Sequence, residues 1–423
     1  MLDRGAERLK VLVIGPGLDG TDVGESFSIA QLVKALTAQA DVTVLSSQPP
    51  ARDLPVADQY PLAAAVHTWP EPAFFRQRFE RFTAMAKPTL PLFFGWVRRW
   101  IAGHLASGGH FDIAHQILPQ AMRYASPLRH FPIPYVIGPL GGGLTTPAPF
   151  LREVGRAPLM TRLRAVDGWR LRHDPWLRAS YARAGLVLGV APYVAAALGP
   201  VPVRRFETLL ERSHDGDTPD VERQGETGRL ELLHVGRAVR TKGLRDTVRA
   251  MAHLADLPRV TLTSAGDGED LAACRDEAER LGLAHRITFL GRVPRAEVDL
   301  LYARADVFAF PSFREPMGGV LFEALHWGLP VVTAARGGPD FIIDDSCGIR
   351  IPVTDPDRYP RDIAEAVRRL ACDPGLRRRL GAGARRRIAG FGTWDTTASR
   401  LIELYRQTIA AHAVPASQRA GRP

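Results

Sequence analysis

The feature that most constrains the fold of this 423-residue chain is the regular alternation of strand-like runs with helix-like segments. The first run, residues 10–15, is rich in β-branched and aliphatic residues, and the segment after it repeats apolar residues at the spacing of one helical face: Ile29, Leu32, Val33 and Leu36. A helix between two strands lets the chain return to the sheet parallel to the first strand. The alternation therefore predicts parallel sheets with crossover helices. Strands are predicted at residues 10–15, 41–45, 111–114, 134–138 and 186–190, and then at residues 230–235, 260–265, 287–290, 307–310 and 331–333.

The length and the two strand series indicate two domains, at roughly 100 to 200 residues per domain. Residues 204–228 lose the apolar periodicity and fill with charged residues, Gly and Pro, which is typical of a linker. The sequence therefore predicts an α/β protein of two Rossmann-like, doubly wound domains, residues 1–203 and 229–390, which face each other across a cleft. Residues 391–413 are predicted to form a C-terminal helix that returns to the first domain, and residues 414–423 a disordered tail.

The formal net charge of +10 favours an anionic partner: nucleic acid, an anionic lipid surface or an anionic small molecule. No zinc-finger spacing, RNP-like aromatic block or helix-turn-helix signature accompanies the arginines, so no nucleic-acid binding is predicted. Basic residues are mixed with aromatic ones in residues 69–100, and basic residues recur in residues 152–183. This mixture predicts peripheral contact with an anionic membrane; the alternative is that the aromatic side chains are core and the arginines a solvated face.

The cysteines and the uncharged segments bear on the compartment. The three cysteines, Cys274, Cys347 and Cys372, form neither a CxxC pair nor a zinc-type cluster. A reducing compartment and the absence of a structural metal are therefore predicted. The first residues do not resemble a secretory signal. Residues 184–203 are long enough, at about 20 residues, to span a bilayer, but Gly and Pro interrupt them, so strand, turn and short helix is the preferred interpretation. A cytoplasmic protein is predicted, with peripheral association with the inner face of the cytoplasmic membrane left open.

Two short motifs invite assignments that their context does not support. Residues 15–20 match GxGxxG after a strand, but the next strand ends at Leu45-Ser46-Ser47, without the acidic residue that would hold an adenosine ribose. A glycine loop that admits a ligand to the helix N-terminus is preferred, with a plain strand-to-helix turn as the alternative. The Asp-x-Asp pairs at residues 215–217 and 355–357 lie in polar loops and are interpreted as turns rather than as a magnesium clamp.

The strongest constellation lies in the second half of the chain. Gly236 and Arg237 follow the strand 230–235, and Lys242 comes five residues after the arginine, close to the start of a helix. Two cations together with helix N-terminal N–H groups form an anion site that suits a diphosphate. A later loop carries the carboxylate of Glu315. It is followed by the glycine pair Gly318 and Gly319, which lets a ligand approach the backbone. A second carboxylate, Glu323, lies about two turns into the helix that follows.

Seven segments of this half resemble, in order and spacing, the nucleotide-sugar half of retaining GT-B glycosyltransferases of the GT4 family (glycosyl transferases group 1). They are VGRAVRTKGL, SAGDGED, ITFLGRV, ADVFAFPS, EPMGGVLFEAL, HWGLPVVTAARGGPD and the Glu-x7-Glu spacing of Glu315 and Glu323. In the first half the resemblance is limited to the opening glycine loop and the strand series. The resemblance implies the GT-B fold.

The resemblance also implies a role for each matched residue. Arg237 and Lys242 match the pair that binds the donor diphosphate. Glu323 matches the carboxylate that accepts hydrogen bonds from the donor ribose, and Glu315 the catalytic carboxylate beside the transferred sugar. Cations and helix N-termini stand where a metal would otherwise be needed, so neither a metal nor a cofactor is expected besides the nucleotide-sugar co-substrate. The other residues predicted to bind the donor are Gly17, Gly236, Gly318, Gly319 and Val293.

The first half departs from the family pattern at two places. Many relatives carry His-x-His after the strand 111–114, whereas this chain has His115-Gln116-Ile117 and lacks the second histidine. His115 is predicted either to act as a catalytic residue near the sugar hydroxyls or to be a satisfied histidine behind the site. Three consecutive glycines are predicted to shape the acceptor site, with a connection that binds no ligand as the alternative: Gly141, Gly142 and Gly143.

The sequence thus predicts a retaining, metal-independent hexosyltransferase that moves a sugar from a UDP- or GDP-sugar donor to a hydroxyl acceptor. The acceptor is left open among a saccharide, a lipid-linked saccharide and a small molecule, in polysaccharide, glycolipid or natural-product biosynthesis. Two alternatives come from other classes. One is a catalytically silent nucleotide-sugar binding protein, prompted by the missing histidine, and the other is a nicotinamide-dependent oxidoreductase.

Overall fold

The computed structural model describes residues 8–21, 24–49, 54–72, 88–154, 165–213, 218–219, 221 and 226–413. Its strands are β1 (Lys10–Gly15), β2 (Asp41–Gln48), β3 (Ala65–Pro70), β4 (Ile113–Gln116), β5 (Tyr135–Leu140), β6 (Leu186–Gly189), β7 (Phe206–Thr208), β8 (Arg229–Val235), β9 (Arg259–Ala265), β10 (Ile287–Gly291), β11 (Val307–Phe310), β12 (Val331–Ala334) and β13 (Gly348–Ile351). Its helices are α1 (Glu25–Gln39), α2 (Leu90–Ala106), α3 (Ala165–His173), α4 (Pro175–Arg183), α5 (Tyr193–Leu198), α6 (Leu244–Ala252), α7 (Leu271–Arg280), α8 (Arg295–Arg304), α9 (Gly319–His326), α10 (Gly337–Ile342), α11 (Arg358–Cys372), α12 (Pro374–Gly390) and α13 (Trp394–Ala413).

The described strands form two parallel sheets. The first sheet has the order β3-β2-β1-β4-β5-β6-β7, and the second has the order β10-β9-β8-β11-β12-β13. In each order the direction of winding reverses beside the first strand, which is the topology of a Rossmann-like, doubly wound fold. The predicted fold class of two such α/β domains is therefore confirmed, and every strand predicted from the sequence is present within a few residues.

The chain divides into two compact units that do not follow the order of the sequence. Unit 1 consists of Met1–Gly143, Pro158–Ser213 and Thr393–Pro423, and unit 2 of Leu144–Ala157 and His214–Gly392. The C-terminal helix α13 thus belongs to unit 1, where it packs against α1. Its buried residues Leu401 and Leu404 share one apolar core with the inner face of α1. A short piece of chain after β5 belongs instead to unit 2.

His115 links α13 to the sheet of unit 1. Its imidazole is fully buried, and Nε2–H donates to the carbonyl oxygen of Gly138 at 2.5 Å. Nδ1 is then the unprotonated nitrogen, and it accepts from the hydroxyl of Tyr405 on α13 at 2.6 Å. Burial lowers the pKa of His115 to about 4, which keeps the ring neutral. Because both ring nitrogens are used inside unit 1, the structure favours the satisfied histidine over the predicted catalytic one.

The structure differs from the sequence-based description at the edges of the sheets. Three strands were not predicted, and each is an edge strand: β3, β7 and β13. Strand β7 lies in the region predicted as a linker, so that prediction is wrong for Phe206–Thr208, which pairs with β6. Half-buried edge strands lack the continuous apolar run that marks a central parallel strand, and this is why the pattern misses them.

Several smaller predictions can be compared with the structure. Residues 184–203 form β6, a turn and α5, as preferred, and no described helix is both long and apolar enough to cross a membrane. The Asp355 carboxylate accepts from the N–H groups of Asp357 and Arg358, which confirms a turn there. The other Asp-x-Asp pair, residues 215–217, and the predicted tail, residues 414–423, lie outside the described residues.

Gly383 in α12 provides a test of the packing in unit 2. A Cβ built on Gly383 would lie 1.7 Å from the carbonyl oxygen of Ser346, whereas a Cβ on Gly390 of the same helix would meet nothing within 4 Å. We expect Gly383→Ala to lower the free energy of unfolding by about 1 to 3 kcal/mol, the usual range for overpacking. Gly390→Ala should be neutral or stabilising by up to about 1 kcal/mol. Urea unfolding of both variants measures this, and equal stabilities would contradict the described packing of α12.

His115 predicts a specific pH dependence of stability. Its pKa is about 4 in the folded chain and 6.5 unfolded, so the unfolded state binds the extra proton between these values. Stability should therefore be lost as the pH falls from 6.5 towards 4. In His115→Gln the loss in free energy of unfolding between pH 7 and pH 5 should be smaller by about 2 kcal/mol. Urea titrations at the two pH values measure this, with the exposed His110→Gln as control; an unchanged loss would contradict a neutral buried imidazole.

Candidate functional site

The candidate site lies in unit 2, at the point where the strand order of its sheet reverses. Strands β8 and β11 are neighbours there, and the chain leaves the carboxyl end of each into a loop. In doubly wound folds ligands bind in the crevice outside these carboxyl ends. The loop after β8 carries Lys242, and the loop after β11 carries Glu315.

The two loops approach each other backbone to backbone. Gly243 has a φ of +82°, and a Cβ at this position would lie 2.2 Å from the carbonyl oxygen of Pro311. The hydroxyl of Ser312 donates to the carbonyl of Thr241 at 2.9 Å and ties the loops together. Only glycine fits this conformation and this distance without strain.

Lys242 and Glu315 form an ion pair between Nζ and Oε2 across the two loops. Both side chains are mostly buried, with 16% and 10% of their surface exposed. The ammonium group of Lys242 also lies 5.6 Å from the centre of the Phe310 ring, a cation–π contact. The structure thus brings together the predicted diphosphate cation and the predicted catalytic carboxylate.

The second predicted carboxylate, Glu323 on α9, is paired as well. Its Oε1 lies 2.9 Å from Nη1 of Arg295 at the start of α8. Gly318 precedes α9 with a φ of +95°, and its missing Cβ would lie 3.3 Å from Cγ of Glu315. Gly318 therefore lets the helix begin directly beside Glu315, and Gly319 is the first residue of that helix. Arg295 was not predicted as a site residue, although it lies only two residues after the segment ITFLGRV.

Arg237 lies in the same loop after β8 as Lys242, and Val293 lies in the loop after β10. Arg237 is exposed and forms no ion pair within the described part of the chain, so its charge is available to an anion. Gly236 lies directly before it with a φ of +152°, and its carbonyl oxygen would be 1.9 Å from a Cβ on Gly266. The glycines of SAGDGED are therefore explained by close packing of two loops. Val293 is half-buried in the loop after β10.

His234 at the end of β8 is a residue whose role the sequence did not indicate. It is fully buried, and burial lowers its pKa to about 4. Its Nε2–H donates to the backbone carbonyl of Lys242 at 3.3 Å. A neutral imidazole thus supports the short turn that carries the lysine.

The remaining predicted site residues lie in unit 1. The N–H of Gly17 donates to Oγ of Ser47 at 3.0 Å, and the next N–H, of Leu18, donates to Oγ of Ser46 at 3.1 Å. These two amides are therefore occupied, which disfavours the dinucleotide interpretation of the loop. The acceptor prediction stays open: Gly142 and Gly143 have φ values of +84° and +76°, and the N–H of Gly141 donates to the carbonyl of Gln120.

Among the described residues, no group of three His, Cys, Asp or Glu side chains could hold a metal ion. The three cysteines are free thiols, and two of them are buried.

Known proteins resemble this chain in two ways. Residues 219–387 match the glycosyl transferases group 1 family. The glycogen synthase of Mycobacterium tuberculosis is 32% identical over 214 residues, 47% of this chain and 50% of that protein. The D-inositol 3-phosphate glycosyltransferase of Xylanimonas cellulosilytica is 34% identical over 179 residues, 42% of each chain. The chain thus matches about half the length of these relatives or less.

The solved structures extend the likeness of fold to nearly the whole chain. The sucrose-phosphate synthase of Thermosynechococcus elongatus superposes with a TM-score of 0.64 at 22% identity, covering 96% of this chain and all of that one. Anabaena Alr3699/HepE in complex with UDP and glucose superposes with a TM-score of 0.60 at 18% identity, covering 94% and 99%. The chain therefore has a GT-B fold, and its residues 219–387 match the glycosyl transferases group 1 family.

Proposed function

We propose that this protein is a retaining, metal-independent glycosyltransferase that moves a sugar from a UDP- or GDP-sugar to a hydroxyl acceptor. The observation that carries the proposal is the pairing of Lys242 with Glu315 at the switch point of a group 1 domain. The relative Anabaena Alr3699/HepE binds UDP and glucose, which agrees with a nucleotide-sugar donor.

Departure of the nucleoside diphosphate is the step that the cations would assist. The bond between the anomeric carbon and the phosphate oxygen breaks, and negative charge grows on the leaving diphosphate. Two positive charges stabilise this negative charge as it develops: Lys242 and Arg237. Arg237 has no ion-pair partner among the described residues. The acceptor oxygen forms the new bond on the same face, and its proton passes to the departing phosphate oxygen.

When the donor binds, each of the two carboxylates would leave its cation and bind the donor instead. A diphosphate carries more charge than one carboxylate and so competes with Glu315 for Lys242. Once displaced, Glu315 is free to accept hydrogen bonds from the transferred sugar. Glu323 would accept hydrogen bonds from the ribose hydroxyls, which requires Arg295 to move away from it. The Arg295 side chain is 62% exposed and can move into solvent.

Donor turnover tests this assignment. We expect the chain to release nucleotide slowly from one member of a panel of UDP-, GDP-, dTDP- and ADP-sugars. Lys242→Ala and Glu315→Gln should each lower the rate by about a hundredfold or more, the usual loss for one preorganised charged group. Because Glu315 competes for Lys242, Glu315→Gln should bind the free nucleoside diphosphate at least as tightly as the wild type.

The matched control is Glu365→Gln, a surface carboxylate of α11 in the same unit. A wild-type rate in Glu315→Gln would remove this residue from the site. Binding of a nucleotide sugar without release in any acceptor mixture would favour the silent binding protein, and absence of both would overturn the proposal.

We further propose that one face of unit 1 binds an anionic membrane, so that a lipid-linked acceptor is favoured. The face consists of α2, the turn Pro127–His130, α3 and α4, and the turn packs against both α2 and α4. Trp169 on α3 and Trp176 on α4 are 61% and 69% exposed. By contrast, the half-buried rings of Trp69 and Trp96 pack against the buried ring of Phe93, which agrees with the alternative for that tract.

The same face gathers cations that repel one another. Burial and then the nearby cations Arg98 and Arg183 lower the pKa of Arg129. Burial, Arg129 and the same two cations lower the pKa of His130. Acidic headgroups would relieve this repulsion, while exposed tryptophans insert at the boundary between headgroups and acyl chains.

Vesicle binding tests the proposed membrane face. The wild type should bind vesicles of equimolar phosphatidylglycerol and phosphatidylcholine more tightly than pure phosphatidylcholine, and high salt should weaken binding. The double variant Trp169→Ser, Trp176→Ser should lose about tenfold in affinity. Leu300→Ser, at a position in unit 2 that is 64% exposed, is the control. Equal binding to both vesicles, or an unaffected double variant, would contradict this face.

A further inference from the structure

A piece of chain that follows strand β5 of unit 1 packs against the candidate site of unit 2. We call residues 144–154 the strap segment. It begins directly after Gly142 and Gly143, whose positive φ values turn the chain away from β5. Its contacts group it with unit 2. It touches both loops of the candidate site, at its two ends.

The first end of the strap segment holds the loop that carries Glu315. Arg314, the neighbour of Glu315, donates to the hydroxyl of Thr146 at 3.1 Å. Arg336 donates to the carbonyl of Thr145 at 2.9 Å. Gly338, two residues after Arg336, donates its N–H to the carbonyl of Glu315 at 3.0 Å. The strap segment therefore borders Glu315 through the loop itself and through the start of α10.

Phe150, in the middle of the strap segment, joins the two site loops. It is fully buried in the core of unit 2. Its ring lies 4.5 Å from the ring of Phe313 in the Glu315 loop, and 5.5 Å from the guanidinium of Arg240 in the Lys242 turn. The same guanidinium lies 5.2 Å from Phe313. Phe150 thus completes an aromatic pair around a cation that stands two residues before Lys242.

The far end of the strap segment holds the Lys242 turn through Glu153. One carboxylate oxygen of Glu153 accepts from Nε and Nη2 of Arg240, and the other accepts from Nη1 of Arg249 at 2.8 Å. Asp246 takes the remaining face of Arg240 in a second pair of hydrogen bonds. Burial alone would lower the pKa of Arg240, but the carboxylates of Asp246 and Glu153 more than offset it and raise this pKa.

The Arg240 side chain is only 5% exposed, so it depends on both carboxylates. Removal of one partner from a buried pair leaves an uncompensated charge in a poorly hydrated place. The turn would then have to shift to reach water or a new partner. Because Lys242 belongs to the same three-residue turn, Arg240–Lys242, such a shift moves its ammonium group as well.

We propose that Phe150 and Glu153 are positioning residues of the donor site, which hold the Lys242 turn and the Glu315 loop in register from a segment outside the glycosyl transferases group 1 domain. The inference rests on the proposed function, since it takes Lys242 as the diphosphate ligand. Neither residue touches the donor in this scheme. They act through Arg240 and Phe313.

Binding of a nucleoside diphosphate, compared with binding of its nucleoside, tests the strap segment. Isothermal titration uses UDP or GDP, whichever the wild type binds, and then uridine or guanosine. Glu153→Gln keeps the shape of the side chain and removes its charge, and Phe150→Leu removes the ring. Each variant should lower the affinity for the nucleoside diphosphate by about tenfold, equivalent to about 1.4 kcal/mol. The affinity for the nucleoside should stay within about twofold, because its contacts lie elsewhere.

Glu277→Gln is the matched control. Glu277 pairs with Nε of the same Arg249 at the same 2.8 Å, but from α7 rather than from the strap segment. It should leave the affinities for both ligands unchanged. The positioning role is overturned if Glu277→Gln and Glu153→Gln lower the affinities for both ligands to the same extent. It is also overturned if Glu153→Gln binds the diphosphate as tightly as the wild type does. If Phe150→Leu does not fold, Glu153→Gln decides the question. Failure of the wild type to bind any diphosphate would instead refute the proposed function.

Discussion

The close approach of two backbones at the switch point of unit 2 is the constraint on which the candidate site depends. The turn after β8 meets the loop after β11 where a side chain at Gly243 would overlap the carbonyl of Pro311. Parallel neighbouring strands deliver both loops to the same sheet edge. Side chains that are 73 positions apart in sequence, Lys242 and Glu315, can therefore form one ion pair. A wider separation of the loops would leave two unrelated surface charges.

The central elements of the fold could be predicted because their sequence pattern is unambiguous. Strands such as β1 and β11 are buried on both faces, so they read as continuous apolar runs bounded by Gly or Pro. Edge strands such as β7 carry no such run, since one side of the strand has no neighbour and its residues are half-buried. The departure of the strap segment to unit 2 leaves no periodic signal either, because it is set by a few tertiary contacts of residues such as Phe150 and Glu153.

The candidate site divides in the same way. Lys242, Glu315 and Gly318 were predicted from local spacing and from a family resemblance that rests on local motifs. The role of His115 could not be predicted, since the group that fills Nδ1 is Tyr405, 290 positions away. Nothing in the local sequence distinguishes Arg240 from the other arginines, because its partner Glu153 is 87 positions away, yet it is one of the most buried cations described in unit 2. Local patterns identify which residue types are available, and long-range contacts decide which of them are free.

Two cations in one short turn show how this difference could serve function. Arg240 is held by two carboxylates and two aromatic rings, with almost no surface exposed. Lys242 has one carboxylate, Glu315, and a larger exposed fraction. An incoming anion cannot compete for Arg240 without breaking a buried network, but it can replace a single partner of Lys242. A buried ion pair adds little net stability compared with an apolar replacement. The Arg240 network instead fixes the position of the turn, and with it the position of Lys242, whose single carboxylate partner an anion can replace.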